Sequence, residues 1–130
     1  MKEDIPFEPV TGVLVAVVPQ DENDLKQPWD VYIINKKQVA IDMVVIVSKG
    51  FDDQKETSVM RKRIDSLPAN SFAKVELIQP ELFQLNNQFQ VTFFEGNQLF
   101  DKTFTFAKNS IKEGNLRMIS SLNKRGILAK

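Results

Sequence analysis

The sequence predicts a mainly β fold, an antiparallel β-sandwich of about seven strands. Three observations predict it. Short apolar runs rich in Val, Ile and Phe recur at brief intervals between polar turns. Residues 88–106, Q-F-Q-V-T-F-F-E-G-N-Q-L-F-D-K-T-F-T-F, read as two strands joined by a Gly96-Asn97 turn. Little of the chain carries clear helical patterning.

The hairpin is the best-determined element. A two-residue turn sets Glu95 opposite Gln98, so Phe93 faces Phe100, Val91 faces Lys102 and Phe89 faces Phe104. Phe89, Val91, Phe93, Phe100, Phe104 and Phe106 then share one face. Gln88, Gln90, Thr92, Asp101, Thr103 and Thr105 share the other. A one-residue slip would mix the two sets, so pattern and turn chemistry specify the same register.

The remaining elements follow in chain order. Residues 1–9 read as an irregular arm, because Pro6 and Pro9 cannot donate to a ladder. Residues 10–18 form a strand apolar on both faces, which implies a well-covered position or a dimer contact. Gln20 to Pro28 is an acidic loop. Residues 29–35 and 39–48 are the second and third strands. Met43 to Val47 lacks alternation, so the third strand is expected to be buried on both faces. Its cover is either the chain's own termini or a second subunit, which makes Val44 and Ile46 candidate partner contacts. Residues 58–66 are a fourth strand, and 71–79 a fifth with Lys74 and Glu76 facing water. Pro80 to Leu85 is a short helical turn with proline in its first turn. Residues 88–95 and 98–106 are the hairpin. Leu116 to Leu122 fits a short helix or a strand equally, and 123–130 is a basic and then apolar tail expected to dock as an edge strand or on a neighbouring subunit. Seven strands in one 130-residue domain fit an immunoglobulin-like sandwich, with a partly open barrel as the alternative.

Several function classes are disfavoured. The chain has no cysteine and no histidine, which removes thiolate chemistry, Ser-His and Cys-His nucleophiles and ordinary zinc sites. The acidic D-E-N-D at 21–24 lacks the glycine and glutamate spacing of an EF-hand loop. Asp52-Asp53 sits in a polar loop and reads as solvated. Trp29 and Tyr32, the one Trp and one Tyr, read as sheet packing rather than a ligand site. The chain is expected to need no cofactor and no metal, and to be non-enzymatic. The N-terminus is unlike a signal peptide and the longest apolar run is too short to span a bilayer, so a cytoplasmic location without membrane contact is expected.

Charge is balanced, with seventeen cations and seventeen carboxylates, which argues against a general affinity for nucleic acid. The distribution is uneven. Residues 1–30 hold two lysines against seven carboxylates, and residues 107–130 six cations against one. The two ends therefore attract each other, within one chain or between two. Arg61, Lys62 and Arg63 form the densest basic cluster, either a protected edge strand or, enlarged by Lys124 and Arg125, a phosphate-binding patch. Phe94 and Leu99, opposed on the polar face of the hairpin, are further candidate partner contacts. Together these features suggest a non-enzymatic protein-interaction or structural module that forms a homodimer, with a nucleic-acid or ribonucleoprotein accessory protein as the alternative.

The runs Y-I-I-N at 32–35 and S-F-A-K-V-E at 71–76, the Phe hairpin and the ending G-I-L-A-K at 126–130 resemble a family of small bacterial all-β proteins with no established activity. The resemblance implies an all-β fold and carries over no functional residue.

Overall fold

A computed structural model describes residues 10–130; the expected irregular arm, residues 1–9, lies outside the described residues. The described chain is mainly β, in two antiparallel sheets. Its strands are β1 (Val13–Pro19), β2 (Trp29–Asn35), β3 (Ile41–Phe51), β4 (Met60–Leu67), β5 (Ser71–Ile78), β6 (Asn86–Glu95), β7 (Gln98–Phe106), β8 (Arg117–Ile119) and β9 (Lys124–Leu128). The helical turn expected after β5 is a 3₁₀ turn over Pro80–Gln84. One sheet has the order β5-β2-β1-β9-β8 and the other β4-β3-β6-β7.

The hairpin of β6 and β7 has the register that its turn dictates, from Glu95↔Gln98 to Asn87↔Phe106. Gly96 has a positive φ of 60° and Asn97 does not, the arrangement of a type II′ turn. All six apolar residues of the shared face are buried. Phe93 stacks on Phe100 with ring centres 5.3 Å apart, and Phe89 meets Phe106 edge to face. Lys102, opposite Val91, keeps this face apolar by laying its ammonium 4.7 Å from the Phe104 ring centre.

This face packs on Val13, Val15 and Val17 of β1 and Trp29, Val31 and Ile33 of β2. The Trp29 indole donates to the Leu25 carbonyl and meets the Phe83 edge, which anchors the 3₁₀ turn to the core. Val44 and Ile46 join the same cluster at 0% and 1% exposure. They belong to the chain's own core and are out of reach of a partner, a correction to the sequence reading. A run apolar on both faces does not say which face points inward. Outward from β3 stand Val45 and Val47, half-buried beside Arg63 and Arg61.

A second apolar cluster lies on the far face of the five-stranded sheet. Ala16, Val18, Tyr32 and Ile34 are buried there beneath Ile119 and Leu122. The segment leading from β8 to β9 therefore covers the second face of β1 and β2. The tail docks through β9: Ala16 pairs with Leu128 and Val17 with Ile127. Lys130 and Thr105 then exchange both backbone hydrogen bonds, joining the tail to β7 of the opposite sheet.

Candidate functional site

On the side away from the tail the sandwich is open. β4 and β5 are the terminal strands of their sheets, and neither has a ladder partner on its outer side among the described residues. Such a row of unpaired N–H and C=O groups is a template for another strand. β4 is eight residues long and exposed over most of its length. Its register on β3 sends Arg61 and Arg63 to the outer face and Met60, Lys62 and Ile64 toward the inner side. Arg63 reaches Asp65 at 3.4 Å, an exposed pair of little strength, and no ion pair to Arg61 or Lys62 occurs among the described residues.

Below this strand a hollow of about 280 Å³ opens between the sheets, lined in part by Ser48, Met60, Glu76 and Leu82. A smaller one of about 110 Å³ adjoins it at Lys62 and Val75. Glu76 was expected to face water. A β-bulge between Val31 and Tyr32 shifts the register, so Glu76 pairs with Val31 and shares its inward face. Lys74 pairs with Tyr32 on the outside, where its ammonium lies 3.4 Å from the Asp30 carboxylate. The Ser48 hydroxyl donates to Glu76 Oε1 at 2.6 Å. Burial pushes the Glu76 carboxyl up from its ordinary range, and the Ser48 hydrogen bond opposes part of that shift. Among the described residues the Ser48 hydroxyl is bonded to this carboxylate and to no basic nitrogen, and the carboxylate suits accepting hydrogen bonds or a cation.

A pH effect follows. A carboxyl with a raised folded value binds more protons folded than unfolded, so its favourable contribution is complete below the unfolded range and is lost as pH rises through the folded value. Glu76→Gln keeps an acceptor for Ser48 and removes the charge. Thermal melts across pH should show the variant more stable than wild type at neutral pH, with the gap closing in acid. An equal gap at both ends would contradict the assigned cause.

The other sequence candidates are scattered. Lys124 and Arg125 lie at the opposite side of the molecule, on β9, so they do not enlarge the basic strand β4 into one patch, a correction to that expectation. They instead line a hollow with Glu22 of the acidic loop, which places part of the basic end beside part of the acidic end in one chain. Phe94 and Leu99 pair as expected at the hairpin tip, with Leu99 43% exposed. Sequence reasoning missed Met43, which follows Asp42, the partner of Phe94, in the bulge of β3 before Val45; it is 51% exposed and has a φ of 49°. A left-handed methionine is a costly conformation, and no glycine or asparagine marked it in the sequence.

The acidic loops have local roles. Asp52 accepts from the Gln54 and Lys55 backbone N–H groups, and the Gln54 bond foremost holds its carboxyl below the usual range. Asp21 and Asp24 accept from the Asn23 and Lys26 N–H groups in the same manner. No group of three or more acidic residues is placed to hold a metal among the described residues. Trp29 and Tyr32 point to opposite faces, so they share no site; Tyr32 meets Phe72 edge to face. No helix of the described residues is long and apolar enough to cross a membrane. Compared with known proteins, the chain matches no family model and no curated sequence.

Proposed function

We propose that this protein is a non-enzymatic interaction module that captures an extended acidic segment of a partner protein on the free edge of β4. The observation that carries the reading is the conjunction of an eight-residue strand, whose outer side has no ladder partner among the described residues, with three consecutive cations, Arg61, Lys62 and Arg63. Strand addition supplies backbone hydrogen bonds, and the side chains at alternate positions supply selectivity. Carboxylates opposite Arg61 and Arg63 complement the outer face. The same charges reject a second copy: antiparallel pairing of two β4 edges about Lys62 would set Arg61 against Arg63. The immunoglobulin-like reading of the sandwich is consistent with this use. The order β1-β2-β5 opposite β4-β3-β6-β7 supports that reading, with the fourth strand on the second sheet and β8 and β9 as additions at the β1 edge.

Nucleic acid is a poorer occupant. The basic surface is one short strand, the remaining candidate cations are on the far side, and β4 carries no aromatic side chain on which bases would stack. Fluorescence anisotropy decides between the two. A labelled peptide alternating Glu and Val should bind saturably and weaken with salt, while a single-stranded RNA of equal charge should not compete. Arg61→Glu with Arg63→Glu should cost about tenfold or more in affinity while leaving the melting temperature unchanged. Absence of peptide binding at low salt overturns the reading, and preferential RNA binding replaces it.

The apolar tip of Met43, Phe94 and Leu99 favours a second reading, self-association into a homodimer through that end of the four-stranded sheet. Sedimentation of the protein alone at the same concentrations reads it directly. A dimer mass lost on Leu99→Glu supports it, and a monomer throughout removes it.

A further inference from the structure

A large hollow among the described residues lies across the molecule from β4. It has a volume of about 730 Å³ and is walled by the end of β7, by β8 and by β9. That size falls within the roughly 300–1,000 Å³ of small-molecule sites. Phe106, Ile119 and Ile127 form apolar wall, and Met118 and Leu128 stand at 62% and 44% exposure along it. Large apolar side chains left wet around a concave surface mark a site for apolar matter, and methionine adapts to varied shapes.

Among the described residues the charged members of the lining are Arg117 and Lys130, and no acidic side chain lines it. The hollow beside β4 contains Glu76 and the one beside Lys124 contains Glu22, so this lining differs from both in carrying cations without a carboxylate side chain. Arg117 is also held in place. Its Nη1 donates to the Leu116 carbonyl at 2.7 Å and to the Gly114 carbonyl at 3.1 Å. Its Nε and Nη2 have no hydrogen-bond partner among the described residues. A guanidinium fixed by one nitrogen presents the others in a fork suited to a carboxylate.

We infer that this hollow binds a long-chain carboxylate, with the alkyl chain along Met118, Ile127 and Leu128 and the head group on Arg117, supported by Lys130. A small amphiphile suits the site better than a peptide strand. β8 is three residues long, and the reciprocal bonds between Lys130 and Thr105 already use the ladder at one end. Neither offers the run of free backbone groups that strand addition requires.

Titration of the methyl-labelled protein with laurate, followed by NMR, tests the inference. The Met118, Ile127 and Leu128 methyls should shift saturably. Hexanoate should bind more weakly because it buries less chain, and dodecyltrimethylammonium should bind more weakly because its head group is repelled. Arg117→Gln should weaken laurate by about tenfold and leave binding of the neutral dodecanol unchanged. The three-ligand series on wild type stands whether or not the variant folds. Absence of saturable shifts overturns the inference, as does a cationic amphiphile that binds as tightly as laurate. So does an Arg117→Gln protein that folds and retains full laurate affinity.

Discussion

Asn35→Ala should lower the melting temperature by about 10 °C, the loss of about 3 kcal/mol in a chain of this size. Asn35 ends β2 and is fully buried. Its amide nitrogen donates to the carbonyls of Val39, Leu67 and Pro68 at 3.0, 3.2 and 3.0 Å, and its Oδ1 accepts from the Lys37 N–H at 3.0 Å. One side chain thereby ties the end of the five-stranded sheet to the β2–β3 turn and to the end of β4. Alanine leaves these groups without their side-chain partner, and each such buried group costs about 1–3 kcal/mol. Asn35→Asp keeps the shape and sets a carboxylate against three carbonyl oxygens. Its folded carboxyl value is raised, so its penalty is absent below the ordinary carboxylate range and grows as pH rises. The Asp variant should therefore approach wild type in acid and fall below the Ala variant at neutral pH. Thermal melts at two pH values measure both. An Ala variant within about 2 °C of wild type would show the network to be dispensable.

Asn35 also marks the limit of what the sequence discloses. The Phe hairpin was readable to the residue, because a Gly-Asn turn and a strict apolar alternation specify the same register. β2 was readable as well, since Trp29 to Asn35 is bounded by a loop and a turn. Asn35 itself reads in sequence as an ordinary turn residue. Two of its three acceptors are more than thirty positions away, and local pattern carries no information about them.

The errors share this origin. Strand periodicity assigns alternate residues to alternate faces, and each bulge resets the count. The bulge at Val31/Tyr32 turns Glu76 inward, and the one between Asp42 and Val45 exposes Met43. Neither bulge has a glycine to announce it. The doubly apolar β1 and β3 were equally ambiguous. β1 is covered on its second face by Ile119 and Leu122, from a stretch that fitted helix and strand equally well in sequence. For β3 the inward set is Val44 and Ile46, and the outward set is flanked by the arginines of β4. The candidate edge was partly legible, because Arg61, Lys62 and Arg63 stood out as a cluster. Its separation from Lys124 and Arg125 is a property of strand order, which composition does not encode.

Gly126→Ala should be comparably damaging, at about 2–3 kcal/mol, through space rather than backbone conformation. Gly126 has no positive φ and lies buried in β9, opposite Arg117. A Cβ there would stand 2.5 Å from the Val17 carbonyl oxygen, 2.9 Å from Val18 Cγ2 and 3.0 Å from Ile119 Cδ1. The first contact is decisive, because Val17 lies within the β1–β2 ladder and cannot retreat without disturbing it. β9 must move instead. Its displacement lifts Ile119 and Leu122 from Ala16, Val18, Tyr32 and Ile34, so the variant should bind a dye specific for exposed apolar surface. Two other glycines separate the causes. Gly114 has nothing within 4 Å and no positive φ, so Gly114→Ala should be close to neutral. Gly96 has equal room but a φ of 60°, so Gly96→Ala should cost about 1 kcal/mol without dye binding. Denaturant titration of the three variants tests the ordering. If Gly126→Ala matches Gly114→Ala, then β9 has slack against β1, and the burial of the second apolar cluster does not depend on their close approach.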